Sequence, residues 1–206
     1  SSLVVQALIS DIGGIAPALV LVGVILFMAA PQPWLRNLGR TVIGLGLMLM
    51  ALGLITGASA AFRDDPVLRL VLLRLADQPV LGLVLAAILT WAAHSSVAAI
   101  LFFISLAAAG VIGMAQALVL VLGANVGAGL VALGLGLGAG PAARQALAGN
   151  LAFRLIGAAA ALPLVPLAAD WLAGLGWGDA RALAAAHSAF NLGLVLVFLP
   201  WVAPAA

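Results

Sequence analysis

Thr90-Trp91-Ala92-Ala93-His94-Ser95-Ser96-Val97 is the stretch on which the reading of this chain turns. It interrupts an apolar run, residues 80–112, that carries no Arg or Asp. Polar groups at membrane depth have no water to satisfy them, so they must face protein, a cavity or a bound ion. A second interruption, Gly123-Ala124-Asn125-Val126-Gly127, follows some thirty residues later. Two short polar breaks, each flanked by apolar half-segments, are the sequence mark of discontinuous helices meeting at a transport site.

The composition sets the solvent. Of 206 residues, 66% are hydrophobic and 7% charged, with a mean hydropathy of +1.33. A soluble domain carries roughly 25% charged residues, so the chain is read as an all-α integral membrane protein lying in a lipid bilayer. A porin-type barrel would alternate polar and apolar positions in ten-residue segments, whereas these runs are long and rich in Leu, Ala, Val and Gly. All cations are Arg and all anions Asp. The net charge of +2 on scattered arginines gives no basic patch for nucleic acid. Without cysteine, disulfides, thiolate metal sites and cysteine nucleophiles are excluded. No basic segment precedes the first apolar run, so no signal peptide pattern is present.

In chain order, residues 1–10 are apolar but too short to span, and Asp11 with Gly13-Gly14 marks the expected start of a helix. Residues 15–30 form a first span closed by Pro31 and Pro33, and Trp34, Arg36, Asn37 and Arg40 an interfacial loop with an aromatic anchor. The positive-inside rule makes this loop the cytoplasmic candidate. Residues 41–61 form a second span, in which Gly44, Gly46, Gly53 and Gly57 allow close helix approach. Residues 63–78 read as a short amphipathic helix at the interface, with Pro66 in its first turn and Asp64 or Asp65 as its cap. The arms 80–93 and 97–111 are each short of the roughly 20 residues of a full span, which favours a re-entrant hairpin or a broken helix. Residues 113–122 lead into the glycine-flanked Asn125, and 130–138 make another short arm. Residues 142–167 are a helix kinked or ended by Pro163 and Pro166. A polar, Gly-rich connector follows over 170–181, and 181–199 is the last span, terminated by Pro200.

Several polar residues should converge within this apolar chain. Arg154 lies about 18 Å along a helix begun near Ala142, close to the midplane of a core about 30 Å thick. Asn150 and Arg154 are four apart and share a face, as do His187 and Asn191. With His94, Ser95, Ser96 and Asn125, and with Gly123 and Gly127 flanking the last, they form the candidate substrate and ion site. Each has a structural reading too. Serines in membrane helices bond back to their own backbone, Asn joins helices, His can be buried and satisfied, Arg can cap carbonyls, and glycines are packing devices. A small cation such as Na⁺ would use oxygens, with Ser95, Ser96 and Asn125 as its candidate ligands. An anion would use N–H donors, hydroxyls and Arg. No carboxylate falls in the predicted core, which argues against a multivalent-cation carrier.

These residues resemble a known family. Ala93-His94-Ser95-Ser96-Val97 followed by Leu122-Gly123-Ala124-Asn125-Val126-Gly127 looks like the second repeat of bacterial Na⁺/phosphate cotransporters, which carry Gln-Ser-Ser-Ser and then Gly-Ala-Asn-Ile-Gly-Thr. Ala142-Ala143-Arg144, the stretch from Asn150 to Gly157, and Ala186-His187-Ser188-Ala189-Phe190-Asn191 follow the family's order of landmarks. The resemblance implies a helical bundle with two inverted repeats, each giving a re-entrant hairpin and a broken helix. On that reading 1–61 is the tail of the first repeat with the inter-repeat helices, 62–79 the interfacial connector, and 80–206 the second repeat. A preceding first-repeat segment of the same chain would then supply the other half of the site.

The implied function is secondary active transport of inorganic phosphate coupled to a cation, Na⁺ by resemblance, in a bacterial inner membrane crossed several times. A homo-oligomer stays open. Three positions depart from the family pattern: His94 stands for Gln, Val97 for the third Ser, and Ala128 for Thr. Each removes an oxygen, and His94 is expected either to take a coupling proton, because imidazole titrates near neutral pH, or to hydrogen-bond the anion. Two other classes compete. One is a degenerate, non-transporting or regulatory subunit, which the lost oxygens favour. The other is an intramembrane serine hydrolase using Ser95 or Ser96 with His187, against which stands the lack of a Gly-x-Ser-x-Gly elbow.

Overall fold

The computed structural model describes residues 2–62 and 65–202, and among them every regular element is helical. The chain divides into two compact units, Ser1–Ala58 and Ser59–Ala206.

The first unit is an antiparallel pair. Helix α1 (Ser2–Ala29) runs unbroken through Gly13-Gly14 and Pro17, so the helix start expected there is absent and the short leading piece is its first turns. Helix α2 (Pro33–Phe62) begins at Pro33, whose fixed φ and missing N–H suit a first turn. Trp34 to Arg40, expected as a loop, therefore occupy the first two turns of α2. Small residues let the backbones meet. A Cβ on Gly39 would lie 2.7 Å from the Phe27 nitrogen, and one on Gly46 2.9 Å from the Ala16 carbonyl. Of the glycines expected to serve this purpose Gly46 does, whereas a Cβ on Gly44 would meet nothing within 4 Å.

After the end of α2, the second unit continues with α3 (Pro66–Ala76), whose Val67 N–H is capped by Asp65 Oδ1 at 2.8 Å, as Pro66 and the acidic pair predict. Helices α4 (Pro79–Ala93) and α5 (Ser96–Ala108) form a hairpin. Their 15 and 13 residues give arms of about 20 Å, the short-armed hairpin expected. After a turn at Gly110, φ 71°, helix α6 (Met114–Leu135) follows. Helix α7 (Pro141–Ala161) gives way to a 3₁₀ turn, Leu162–Leu164, at the prolines, then to α8 (Val165–Gly174). Asp170 thus lies on a helix rather than in the expected connector. Helix α9 (Asp179–Phe198) ends in a 3₁₀ turn, Leu199–Val202, around Pro200.

The expected break at Asn125 does not occur. Helix α6 passes through Gly123-Ala124-Asn125-Val126-Gly127 without interruption and takes in most of the expected arm 130–138. It is apolar on every side, which places a helix at the centre of its bundle, and α4, α5, α7, α8 and α9 all pack on it. Residues 117–127 are all buried. Gly123 and Gly127, four apart on one face, let α4 approach. A Cβ on Gly127 would lie 2.6 Å from both the Ala87 carbonyl and Thr90 Cβ, and one on Gly123 would collide with the Leu83 carbonyl. This small-xxx-small contact is how membrane helices gain dispersion where no hydrophobic drive separates helix from lipid. The pairs Gly123 with Leu83 and Ala86, and Gly127 with Ala87 and Thr90, show that α4 and α6 run parallel. Gly136 against Leu147, and Gly129 against Leu151, show α7 running back along α6.

Among the described residues, three segments are long and apolar enough to cross a membrane: Met114–Leu135, Pro141–Gly174 and Asp179–Phe198.

Candidate functional site

Asn125 sits at the middle of α6 with 1% of its surface exposed. An unsatisfied amide there would cost about 1–3 kcal/mol, and the structure accounts for every one of its polar atoms. Its Nδ2 donates to the Val121 carbonyl at 3.0 Å and faces His187 Nδ1 of α9 at 3.1 Å. Its Oδ1 accepts from Arg154 Nη1 of α7 at 3.2 Å, and its backbone carbonyl accepts from the same nitrogen at 3.1 Å. Because Arg has donors only, this contact fixes which side of the amide is oxygen. The amide N–H then points at His187, so Nδ1 accepts and Nε2 carries the ring hydrogen.

The network extends along both outer helices. Arg154 Nε donates to Asn150 Oδ1 at 3.3 Å, one turn earlier on α7. Asn191 Nδ2, one turn beyond His187 on α9, donates to the His187 carbonyl at 2.9 Å and lies 3.3 Å from Nδ1. Arg154 Nη2 makes no hydrogen bond among the described residues, so its two N–H groups remain for a ligand. A cleft of about 280 Å³ opens beside it between α7 and α9. Asn150, Arg154 and Asn191 form the polar end of that cleft, and Phe153, Leu194 and Phe198 the apolar end. Phe153 and Phe198 stack there with centroids 4.3 Å apart.

The arrangement suits an anion better than a cation. Both oxygens of Asn125 and that of Asn150 already face a guanidinium, so a Na⁺ on Asn125 would require Arg154 to leave. Among the described residues no group of three His, Cys, Asp or Glu side chains converges to hold a metal.

The sequence brought forward ten candidates, and the structure sorts them. Asn125, Asn150, Arg154, His187 and Asn191 form one hydrogen-bonded set. Gly123 and Gly127 serve the α4–α6 contact instead. His94, Ser95 and Ser96 make the hairpin tip, and no hydrogen bond among the described residues joins them to the set. His94 is exposed at φ 52°, the left-handed residue that ends α4, and its Nδ1 donates to the Ala92 carbonyl at 3.1 Å. Ser95 caps α5, its Oγ accepting from the Ala98 N–H at 3.2 Å. Asn125 is level with Ala86 and Ala87 of α4, seven or eight residues before His94, so the tip lies about 11 Å further along the axis. Thr90, fully buried, bonds back to the Ala86 carbonyl at 2.7 Å and packs on Gly127.

One contributor escaped the sequence reading. A Cβ on Gly129 would lie 3.2 Å from Arg154 Cδ and 2.9 Å from Leu151 Cδ1, so a glycine here lets the arginine stem lie against α6. Its signal was its place one turn after Asn125, on the same face.

The family model described as Na⁺/Pi-cotransporter matches residues 61–198. Protein YjbB of Escherichia coli K12, provisionally named an inorganic phosphate export protein, is 36% identical over 206 residues. That alignment covers 100% of this chain and 38% of the relative. Its namesake in Salmonella typhimurium is 34% identical over 98% of this chain and 37% of its own length. Protein YqeW of Bacillus subtilis, of uncharacterized function, is 28% identical over 87% of this chain and 59% of its own. The chain thus spans well under half the length of the phosphate-export relatives. No solved structure matches it. With every regular element among its described residues helical and membrane-length apolar helices among them, the chain, matched over 61–198, belongs to the Na⁺/Pi-cotransporter family.

Proposed function

We propose that the protein moves inorganic phosphate across a bacterial inner membrane, coupled to a cation, by alternating access, and that the Asn125–Arg154–His187 network is part of its anion site. The observation that carries this reading is a guanidinium midway along an apolar, membrane-length segment, with two of its five N–H donors unused among the described residues, beside a cleft. A charged side chain within a span is costly and is kept where it faces a pathway or a partner. Planar N–H pairs match the oxygens of phosphate, and the Asn150 and Asn191 amides that line the cleft add neutral donors. Phosphate binding would draw Arg154 away from Asn125, giving the site two states that differ in their contacts, as alternating access requires.

The family description supports Na⁺ as the coupling ion, while His94 in place of Gln supports H⁺. The names of the Escherichia and Salmonella relatives favour export; an inward Na⁺ gradient driving symport would favour import. We further propose that residues 80–206 form the second of two inverted repeats.

Radiolabelled phosphate flux in proteoliposomes of the full-length protein, under imposed Na⁺ or pH gradients of either polarity, tests the reading. Arg154→Gln should lower flux about 10- to 100-fold, the worth of a charge-assisted hydrogen bond or two. Flux unchanged in Arg154→Gln would remove Arg154 from the site. A steep Na⁺ dependence at constant pH, unchanged in His94→Gln, would exclude proton coupling at the hairpin tip. Absence of both flux and phosphate binding would favour the degenerate subunit, for which Val97 and Ala128 already speak.

A further inference from the structure

We propose that the turn between α1 and α2 is a binding site for the headgroup phosphate of an anionic phospholipid, built by Arg36, Arg40 and Asn37 over the ring of Phe27. The site lies wholly within the first unit and does not depend on the phosphate-transport reading.

Charge supplies the first argument. Arg36 and Arg40 are the only charged residues between Asp11 and Arg63. The other six arginines are matched in number by the six aspartates, so this pair accounts for the net charge of +2. Neither forms an ion pair among the described residues. Four apart on one helix, they occupy the same face, where like charges repel.

Geometry supplies the second. The two guanidiniums do not splay apart. Arg36 Cζ lies 5.4 Å and Arg40 Cζ 5.1 Å from the centroid of the same Phe27 ring, within cation–π range. Gly39 sits between them in sequence and lets the backbone of α2 close onto that of Phe27, so the ring reaches both. Pro31, Pro33, Arg36, Asn37 and Arg40 line an open surface cleft of about 240 Å³. Two planar donor groups and an amide converging on one cleft match a tetrahedral phosphate oxygen set.

The surroundings decide in favour of a lipid over a free ion. Trp34, 62% exposed on the same turn, is the kind of side chain that settles at the headgroup level, and its Nε1 is held by Gln32 Oε1 at 2.8 Å. Leu21, Ile25 and Met28 make an exposed apolar row on α1, spaced four and three residues apart and ending one residue past Phe27. A diacyl lipid offers both parts at once, a phosphate for the arginines and chains for the row. Clustered Arg at the end of a span is also what an anionic leaflet attracts.

The test is native mass spectrometry of the full chain in detergent, titrated with phosphatidylglycerol or phosphatidylcholine. Phosphatidylglycerol should bind at least tenfold better. The double variant R36Q/R40Q should lose about 10- to 30-fold of that affinity, with helicity by circular dichroism unchanged, while Arg144→Gln should leave it intact. Phe27→Leu keeps both charges and removes the ring that gathers them; it should lose about 3- to 5-fold. Equal binding of the two lipids, or no loss in R36Q/R40Q, overturns the proposal. No loss in Phe27→Leu, or equal loss in Arg144→Gln, reduces it to bulk charge and overturns the built site. Full displacement of phosphatidylglycerol by excess inorganic phosphate would assign the cleft to the free anion and overturn the lipid assignment.

Discussion

At the residue scale the site depends on how one amide divides its atoms. Asn125 gives its oxygen to Arg154 and its nitrogen to His187, so one amide on one face of α6 holds a cation and an imidazole. Asn125→Asp separates these roles. The carboxylate would pair with Arg154 more strongly and neutralise it, while the donor to His187 and to the Val121 carbonyl disappears. We expect the variant to fold and to lose phosphate binding by at least tenfold in a filter-binding or calorimetric titration; undiminished affinity would mean the guanidinium does not contact the anion. This pairing was partly legible in the sequence. Asn150 with Arg154 and His187 with Asn191 announced shared faces by their spacing, and their depth marked them as costly. That Ser95 spends its hydroxyl as a helix cap and His94 its φ as a turn was not legible. Polar residues at a hairpin tip satisfy the backbone or a ligand with the same atoms.

At the element scale the deciding question is whether glycines break a helix or pack it. The sequence reading took Gly123-Ala124-Asn125-Val126-Gly127 as a break. The structure makes it a contact, because α4 lies along the bare face and α6 keeps its own hydrogen bonds. Both outcomes use glycine, and only the neighbour's position distinguishes them. The prolines of α7 and α8 were readable because a missing N–H acts locally, whatever packs nearby. A Gly127→Val variant should drive Val Cβ into the Ala87 carbonyl and Thr90, at a cost of about 1–3 kcal/mol for an overpacked contact, read as a lower Tm in detergent. Gly149→Ala, where a Cβ meets nothing within 4 Å, should be neutral or raise stability by about 0.5–1 kcal/mol, the helix preference of Ala over Gly. If both variants melt alike, the α4–α6 contact is not what holds the bundle.

For the whole molecule, composition alone established the helical membrane class, since 7% charged residues leave too little polar surface for a soluble domain. The hairpin, the short helix α3 with its Asp65 cap and the membrane-length helices followed from periodicity and punctuation. The centrality of α6 did not, because a helix apolar all round carries no face to say what surrounds it. The bundle places an arginine, three amides and an imidazole among α6, α7 and α9, where lipid would leave them unsatisfied. The most direct test is to locate a bound oxyanion. The full-length protein is crystallised with arsenate, a tetrahedral stand-in for phosphate, and its anomalous scattering marks the site. Arsenate oxygens are expected about 2.7–2.9 Å from Arg154 Nη2, with Arg154 drawn off Asn125. Arsenate bound elsewhere, with Arg154 still donating to both oxygens of Asn125, would contradict an anion site at Arg154.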